Sequence, residues 1–544
     1  MSSTTIGPGG TARSQVGFLT RERIVAEPGF NRWLLPPCAL AIHLCIGMAY
    51  GFSVFWLPLT HVLGANAASC TGTIQALTAT DCQWRQQDVV WMYSLFFVFL
   101  GSAAALFGGW LERAGPRKAG LVATLCWCGG LVISAVGVLY HQLWMMWLGS
   151  GVIGGVGLGL GYISPVSTLI KWFPDRRGMA TGMAIMGFGG GALIGAPLAA
   201  MLMAHFRSPT SVGVWQTFLV MAAGYCVFMV AGSLGYRVPP ENWRPDDWIA
   251  KTTGARLVSP HHVALEDALK TPQFWLIWAV LCLNVTAGIG VISVASPMLQ
   301  SIFGGSLVGQ PGVALANLTK EQVAGVAAVA AGFTGLISLF NIGGRFFWAA
   351  FSDKIGRKMT YATFFVLGIV LYSSTPFLAH SGDKALFVAA ICIILSMYGG
   401  GFATVPAYLA DIFGTRYVGA IHGRLLTAWS VAGVAGPFLI TYISGLQKAA
   451  GIAGDALYDG TLYIMAGLLL VGFIANLAIR PIASRWWMPV EATGAMSAAA
   501  SEGGSYGIGK GGLGAGALLA WACVGIPIAW GIYVTLGQAF ILFG

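Results

Sequence analysis

The sequence predicts an all-α polytopic membrane protein: two six-helix bundles related by an internal repeat, followed by one extra C-terminal transmembrane helix. Three observations predict it. Of 544 residues, 56% are hydrophobic and 9% charged, and the mean hydropathy is +0.75, a balance found in membrane-spanning rather than water-soluble chains. Apolar windows of about 20 residues, the length needed to cross a bilayer, begin near Trp33, Asp88, Ala119, Leu143, Gly178, Val214, Gln273, Val323, Thr360, Leu386, Ile421 and Leu462, with a further one near Leu518. Finally, segments of the first half reappear 240 to 241 residues later in the second.

Residues 1–32 are polar and hold four basic residues, so they read as a cytoplasmic segment rather than a cleavable leader. Spans one to six occupy 33–236, a cytoplasmic linker 237–272, and spans seven to twelve 273–480. Residues 481–517 are rich in Gly, Ala and Ser and read as a flexible linker, and 518–544 supply the additional transmembrane helix. With the N-terminus inside, 23 of the 29 Lys and Arg fall on the cytoplasmic side. The net charge of +10 therefore reports topology in a multi-pass inner membrane protein and not affinity for nucleic acid. Eight of the ten cysteines sit in apolar runs. Cys70 and Cys82 share the first outside loop, where they are either a disulfide or two free thiols.

The repeat is visible in particular residues. GGWLERAGPRK (108–118) ends the second span and AAFSDKIGRK (349–358) the eighth, and WFPDRRGMATG (172–182) pairs with IFGTRYVGAIHG (412–423). Glu112, Arg113 and Arg117, and likewise Asp353, Lys354 and Arg357, place an acid at a helix end with basic residues behind it. Facing the N-terminus of a neighbouring helix, such an acid makes a charge and dipole latch that forms in one conformation and breaks in another. Parallel repeats around a midplane site suit a transporter whose halves rock, and no channel needs them. The acidic, glycine and basic pattern of these loops resembles the major facilitator superfamily, which implies that fold over residues 33–480 and transport by alternating access.

One residue breaks the apolar pattern. Arg345, in NIGGRFF, lies eight residues before Asp353, so at ~1.5 Å per residue it stands ~12 Å inside the membrane. An arginine at that depth costs about 2.5–3.5 kcal/mol and calls for an anionic partner. Every Asp and Glu lies in a loop or at a span end. The substrate is then the simplest supplier of the missing charge, because guanidinium pairs with carboxylate through two parallel hydrogen bonds; a purely structural arginine bonded to backbone carbonyls is the alternative. Asn341, one turn earlier on the same face, is placed to orient it.

The stretches around Arg345, KWFPDRRGMATGMAIMGFGGGALIGAP and FWLIWAVLCLNVTAGIG resemble the oxalate/formate antiporter family, allied to the monocarboxylate transporters. The resemblance implies that Arg345 contacts a substrate carboxylate and that aromatic side chains of the first and tenth spans, here Tyr50, Tyr398 and Phe402, close over it. Relatives that carry the oxalate dianion have a second cation in the eleventh span, whereas the corresponding stretch here, GRLLTAWSVAG, has Trp429. One fixed charge neutralises one carboxylate, and a second left unpaired costs several kcal/mol. The expected cargo is therefore a small monocarboxylate of the formate, acetate, lactate or pyruvate type, with an oxalate/formate-type dicarboxylate antiporter and a transporter-like carboxylate sensor as alternatives. Trp429 either lines the site or fills space between helices.

Transport of an anion requires a co-transported proton or a counter-anion. His43, eleven residues after Arg32 in the first span, is the candidate proton site, and a hydrogen-bonded structural histidine is the alternative. GGVGLGLG (154–161) lies inside a span and reads as close helix packing rather than a dinucleotide loop. His261 and His262, with Asp246, Asp247 and Glu266, read as a solvated linker rather than a metal site. No cofactor, metal or enzymatic activity is expected.

Overall fold

A computed structural model describes residues 17–539 apart from 28, 64–66, 241–242, 244–260 and 490–514. The long helices are α1 (Leu35–Ile46, continuing as a 3₁₀ segment Gly47–Phe55), α2 (Gln86–Ala114), α3 (Pro116–Leu139), α4 (Gly155–Trp172), α5 (Arg177–Phe206), α6 (Val214–Gly235), α7 (Pro272–Leu307), α8 (Lys320–Ile355), α9 (Arg357–His380), α10 (Lys384–Phe413), α11 (Val418–Leu425 and Thr427–Ala449), α12 (Asp459–Ala478) and α13 (Ala515–Ala539). Among the described residues, twelve helical segments are long and apolar enough to cross a membrane. The remaining long helix is α8, which carries Asn341 and Arg345. Large apolar side chains such as Leu106, Leu125, Val227, Phe377 and Ile526 point outward, as a lipid-facing surface requires.

The repeat is written into the backbone. Gly115 joins α2 to α3 and Gly356 joins α8 to α9, both with φ of 85°, a left-handed conformation that glycine adopts without steric cost. Each gives a one-residue reversal. Pro116 then occupies the first position of α3, where its missing N–H costs nothing.

Three helices depart from regularity, and two of the departures lie beside the centre of the molecule. The 3₁₀ segment that prolongs α1 runs for nine residues and carries Tyr50, longer than 3₁₀ helices usually persist. It packs on α5 so closely that a Cβ on Gly47 would overlap the Phe188 carbonyl. α11 is interrupted at Leu426, three residues before Trp429. A π-helical stretch, Trp147–Gly154, leads into α4. The glycines 154–161 pack helices, since a Cβ on Gly157 would stand 2.6 Å from Trp127 N of α3 and one on Gly159 2.4 Å from Leu100 O of α2.

The end bearing the basic loops is stitched together. Arg32 forms a two-pronged pair with Asp175 at 2.8 and 3.2 Å, and Val25 bridges Val238. At the opposite end Cys70 and Cys82 are joined in a disulfide. His141 stacks on Trp84 at 4.2 Å and its Nε2 meets the Cys82 carbonyl at 2.8 Å. Burial presses the His141 pKa below its ordinary value, against the opposing pull of that carbonyl. Burial alone raises the Asp88 carboxyl, but Arg85 and Thr73, bonded to it at 2.7 and 2.6 Å, outweigh this and hold it below the usual range.

Candidate functional site

Arg345 is fully buried at the junction of the two bundles. Its Nε donates to Asn341 Oδ1 at 2.8 Å, the contact that i,i+4 spacing on α8 dictates. Nη1 donates to the carbonyl of Ile185 on α5, in the opposite bundle, at 3.2 Å. Nη2 makes no hydrogen bond of ordinary geometry among the described residues. Among the described residues, no carboxylate lies within ion-pair distance of the guanidinium.

Aromatic rings surround this cation. Its central carbon stands 5.5 Å from the Phe402 ring, 5.7 Å from Phe188 and 5.9 Å from Tyr50, distances at which ring faces attract a positive charge. The Tyr50 hydroxyl meets that of Tyr398 at 3.1 Å, joining α1 to α10 across the bundles. Trp429 packs on Phe402 at 4.3 Å and on Tyr162 and Phe188 at 5.3 and 5.4 Å, and its indole N–H has no hydrogen-bond partner among the described residues. Glycines make the approach possible: a Cβ on Gly189 would lie 3.3 Å from Arg345 Nε, and one on Gly399 2.3 Å from the Asn341 carbonyl.

His43 presents its ring nitrogens to two backbone carbonyls, Nδ1 to Ala184 and Nε2 to Tyr162, the latter at 3.2 Å. A neutral imidazole donates to one carbonyl and an imidazolium to both. His43 also lies within electrostatic reach of Arg345.

At the basic end, Asp353 accepts from the backbone N–H groups of Gly178 and Met179 at 2.9 and 3.0 Å, capping the start of α5 across the bundle junction. Arg357 stands behind it at 2.5 Å and reaches Asp411 at 3.2 Å. The repeat-related Glu112 is arranged differently: it accepts from Ser167 Oγ and Lys171 Nζ of α4, at 3.1 and 2.5 Å, inside its own bundle. Arg117 donates to the carbonyls of Phe18, Leu234 and Tyr236 and so ties the N-terminal segment to the end of α6. Arg113 and Lys354 are exposed. His261 stacks on Trp487 at 4.0 Å, and Asp246 and Asp247 lie outside the described residues.

The structure thus brings Arg345, Asn341, Tyr50, Tyr398, Phe402 and Trp429 into one cluster. Sequence reasoning missed Phe188, Tyr162 and the Ile185 carbonyl. Phe188 and Ile185 sit in GMAIMGFGGGALIG, where glycine density signals close backbone approach but not which group takes part; nothing marked Tyr162.

The family model described as Major Facilitator Superfamily matches residues 40–437. The chain belongs to this superfamily. It is 26% identical over 414 residues to the oxalate:formate antiporter of Oxalobacter formigenes, covering 75% of this chain and 83% of that protein. It is 24% identical over 452 residues to the apicoplast pyruvate carrier 1 of Toxoplasma gondii, covering 70% and 78%. Among solved structures it is similar to a major facilitator superfamily transporter, FucP, in the outward conformation, with a TM-score of 0.54, 14% identity, and 82% and 99% of the two chains covered. The two six-helix bundles with a C-terminal thirteenth helix are accordingly a major facilitator superfamily transporter fold.

Proposed function

We propose that this transporter is a secondary carrier of small monocarboxylates, of the formate, acetate, lactate or pyruvate type, working by alternating access with its N-terminus on the cytoplasmic side. One observation carries the reading: a fully buried guanidinium between the bundles that, among the described residues, has no carboxylate beside it and no hydrogen bond of ordinary geometry at Nη2. A carboxylate from solution supplies both the charge and the acceptor. In this reading Asn341 holds the guanidinium in its plane, Tyr50, Tyr398 and Phe402 enclose the cargo, and Trp429 bounds it without adding charge. The named activities of the relatives, oxalate:formate exchange and pyruvate carriage, support small carboxylates as cargo; formate and pyruvate fall in the proposed class, and oxalate belongs to the dicarboxylate alternative.

The test is flux of labelled monocarboxylates into proteoliposomes. Charge-assisted hydrogen bonds contribute about 1.5–3 kcal/mol, so Arg345→Lys is expected to lower kcat/KM roughly 10- to 150-fold, and Arg345→Ala to abolish flux. Binding without counterflow in the unaltered protein would favour a sensor.

His43 is the proposed proton site. An anion on Arg345 cancels part of the positive potential felt at His43, so anion and proton promote each other's binding, and linkage makes the effect reciprocal. Uptake then rises as external pH falls, and His43→Gln flattens that rise. Unchanged pH-driven uptake in His43→Gln would leave anion exchange as the coupling mode.

A further inference from the structure

α13 crosses the seam between the two bundles. Its buried positions Ala517, Val524, Gly531 and Thr535 form one stripe with spacings of seven, seven and four residues, while Leu518, Leu519, Ile526 and Tyr533 face outward. Along its length the helix packs on the Arg32–Leu34 turn and α1, on α5, and on α8. Two contacts define the grip. A Cβ on Gly531 would stand 3.0 Å from both the Cγ and the carbonyl oxygen of Leu193 on α5, so any larger residue there requires Leu193 to give way. One turn further, Thr535 fills the space that a side chain on Gly335 of α8 would take, 2.6 Å from such a Cβ. Within five residues α13 therefore touches one helix of each bundle. Those helices are the ones that face each other at the site: α8 carries Arg345, and α5 carries the Ile185 carbonyl and Phe188.

We propose that α13 is a strap that holds α5 and α8 in their present relation and so sets how readily the gate at the basic end, Asp353 on the start of α5, opens. Rocking of the bundles changes the α5–α8 relation. A helix wedged against both must then lose one contact or roll along its stripe. In lipid such contacts draw on close packing of small residues rather than on apolar burial, so a single bulky residue in the stripe undoes them. This inference rests on alternating access and not on the carboxylate reading, and its readout needs no substrate.

The test is hydrogen–deuterium exchange at the gate, residues 178–182 and 349–353, in the full-length protein in lipid nanodiscs. Gly531→Leu cannot seat against Leu193 and is expected to speed gate exchange about threefold, the factor that an average interhelical contact commands. The converse uses two cysteine pairs in one chain, Gly335→Cys with Thr535→Cys and Leu193→Cys with Gly531→Cys, in a background where Cys226 and Cys523 are replaced by serine. Copper-catalysed closure of both pairs ties α5 to α8 through α13 and is expected to slow gate exchange relative to the same protein before closure. Should Gly531→Leu fail to fold, that comparison still decides. Gate exchange unchanged by closure, or pairs that do not close, would overturn the proposal.

Discussion

At the scale of single residues, the proposed monocarboxylate cargo turns on Trp429. Its ring packs on Phe402, Phe188 and Tyr162 around the one buried guanidinium of the cluster. In the proposed site it bounds the cargo and leaves the charge count at one. Trp429→Lys adds a second cation and is expected to move selectivity from formate toward oxalate, read as the ratio of the two fluxes in matched proteoliposomes. A ratio that does not change would place residue 429 outside the substrate's reach. Arg345 and Asn341 were legible in the sequence for a simple reason: a charged side chain in an apolar run stands out, and i,i+4 spacing brings Asn341 onto it. Tyr50, Tyr398, Phe402 and Trp429 entered through family resemblance, because aromatic residues are common in every span. Phe188 and Ile185 were illegible because an apolar ring and a backbone carbonyl carry no pattern; only tertiary packing selects them.

At the scale of elements, the two repeat-related acids illustrate how equal motifs acquire unequal geometry. Asp353 is short, and its carboxylate caps α5 across the junction. Glu112 has one more methylene and turns to Ser167 and Lys171 of α4. The repeat was legible at both places, but which partner each acid takes depends on side-chain length and on the neighbouring lysine. The opposite end yields a prediction about pH. His141 has a lowered pKa, so the folded cap holds fewer protons on this ring than the unfolded chain, and stability is lost as pH falls below the ordinary histidine value of about 6.5. Asp88 is lowered too, so its contribution is present above the ordinary carboxylate value, about 3.9, and is lost only as pH falls through its folded value. The cap therefore loosens in two steps on acidification. His141→Gln is expected to remove the first step, followed as exchange of residues 70–88 against pH; a first step that persists would assign it to another group.

For the whole molecule, the fold follows from the bilayer. Apolar windows set the helices, the basic residues sort its two ends, and the repeat makes two bundles whose junction holds a cluster in which a buried cation meets rings from both halves. The irregularities that shape that junction, the long 3₁₀ segment in α1 and the break at Leu426, were not legible, since both depend on close contacts between distant helices. α13 was legible as a span, whereas its position over α5 and α8 was not, because an apolar stripe with small residues fits many helices. The central claim is that Arg345 receives a carboxylate from solution. It is tested most directly by equilibrium binding of labelled pyruvate, formate and oxalate to the purified transporter and to Arg345→Gln, at matched pH and salt, with thermal unfolding of both as a folding control. Saturable binding of a monocarboxylate that vanishes in a folded Arg345→Gln is the predicted result; equal affinity in the two proteins would contradict it.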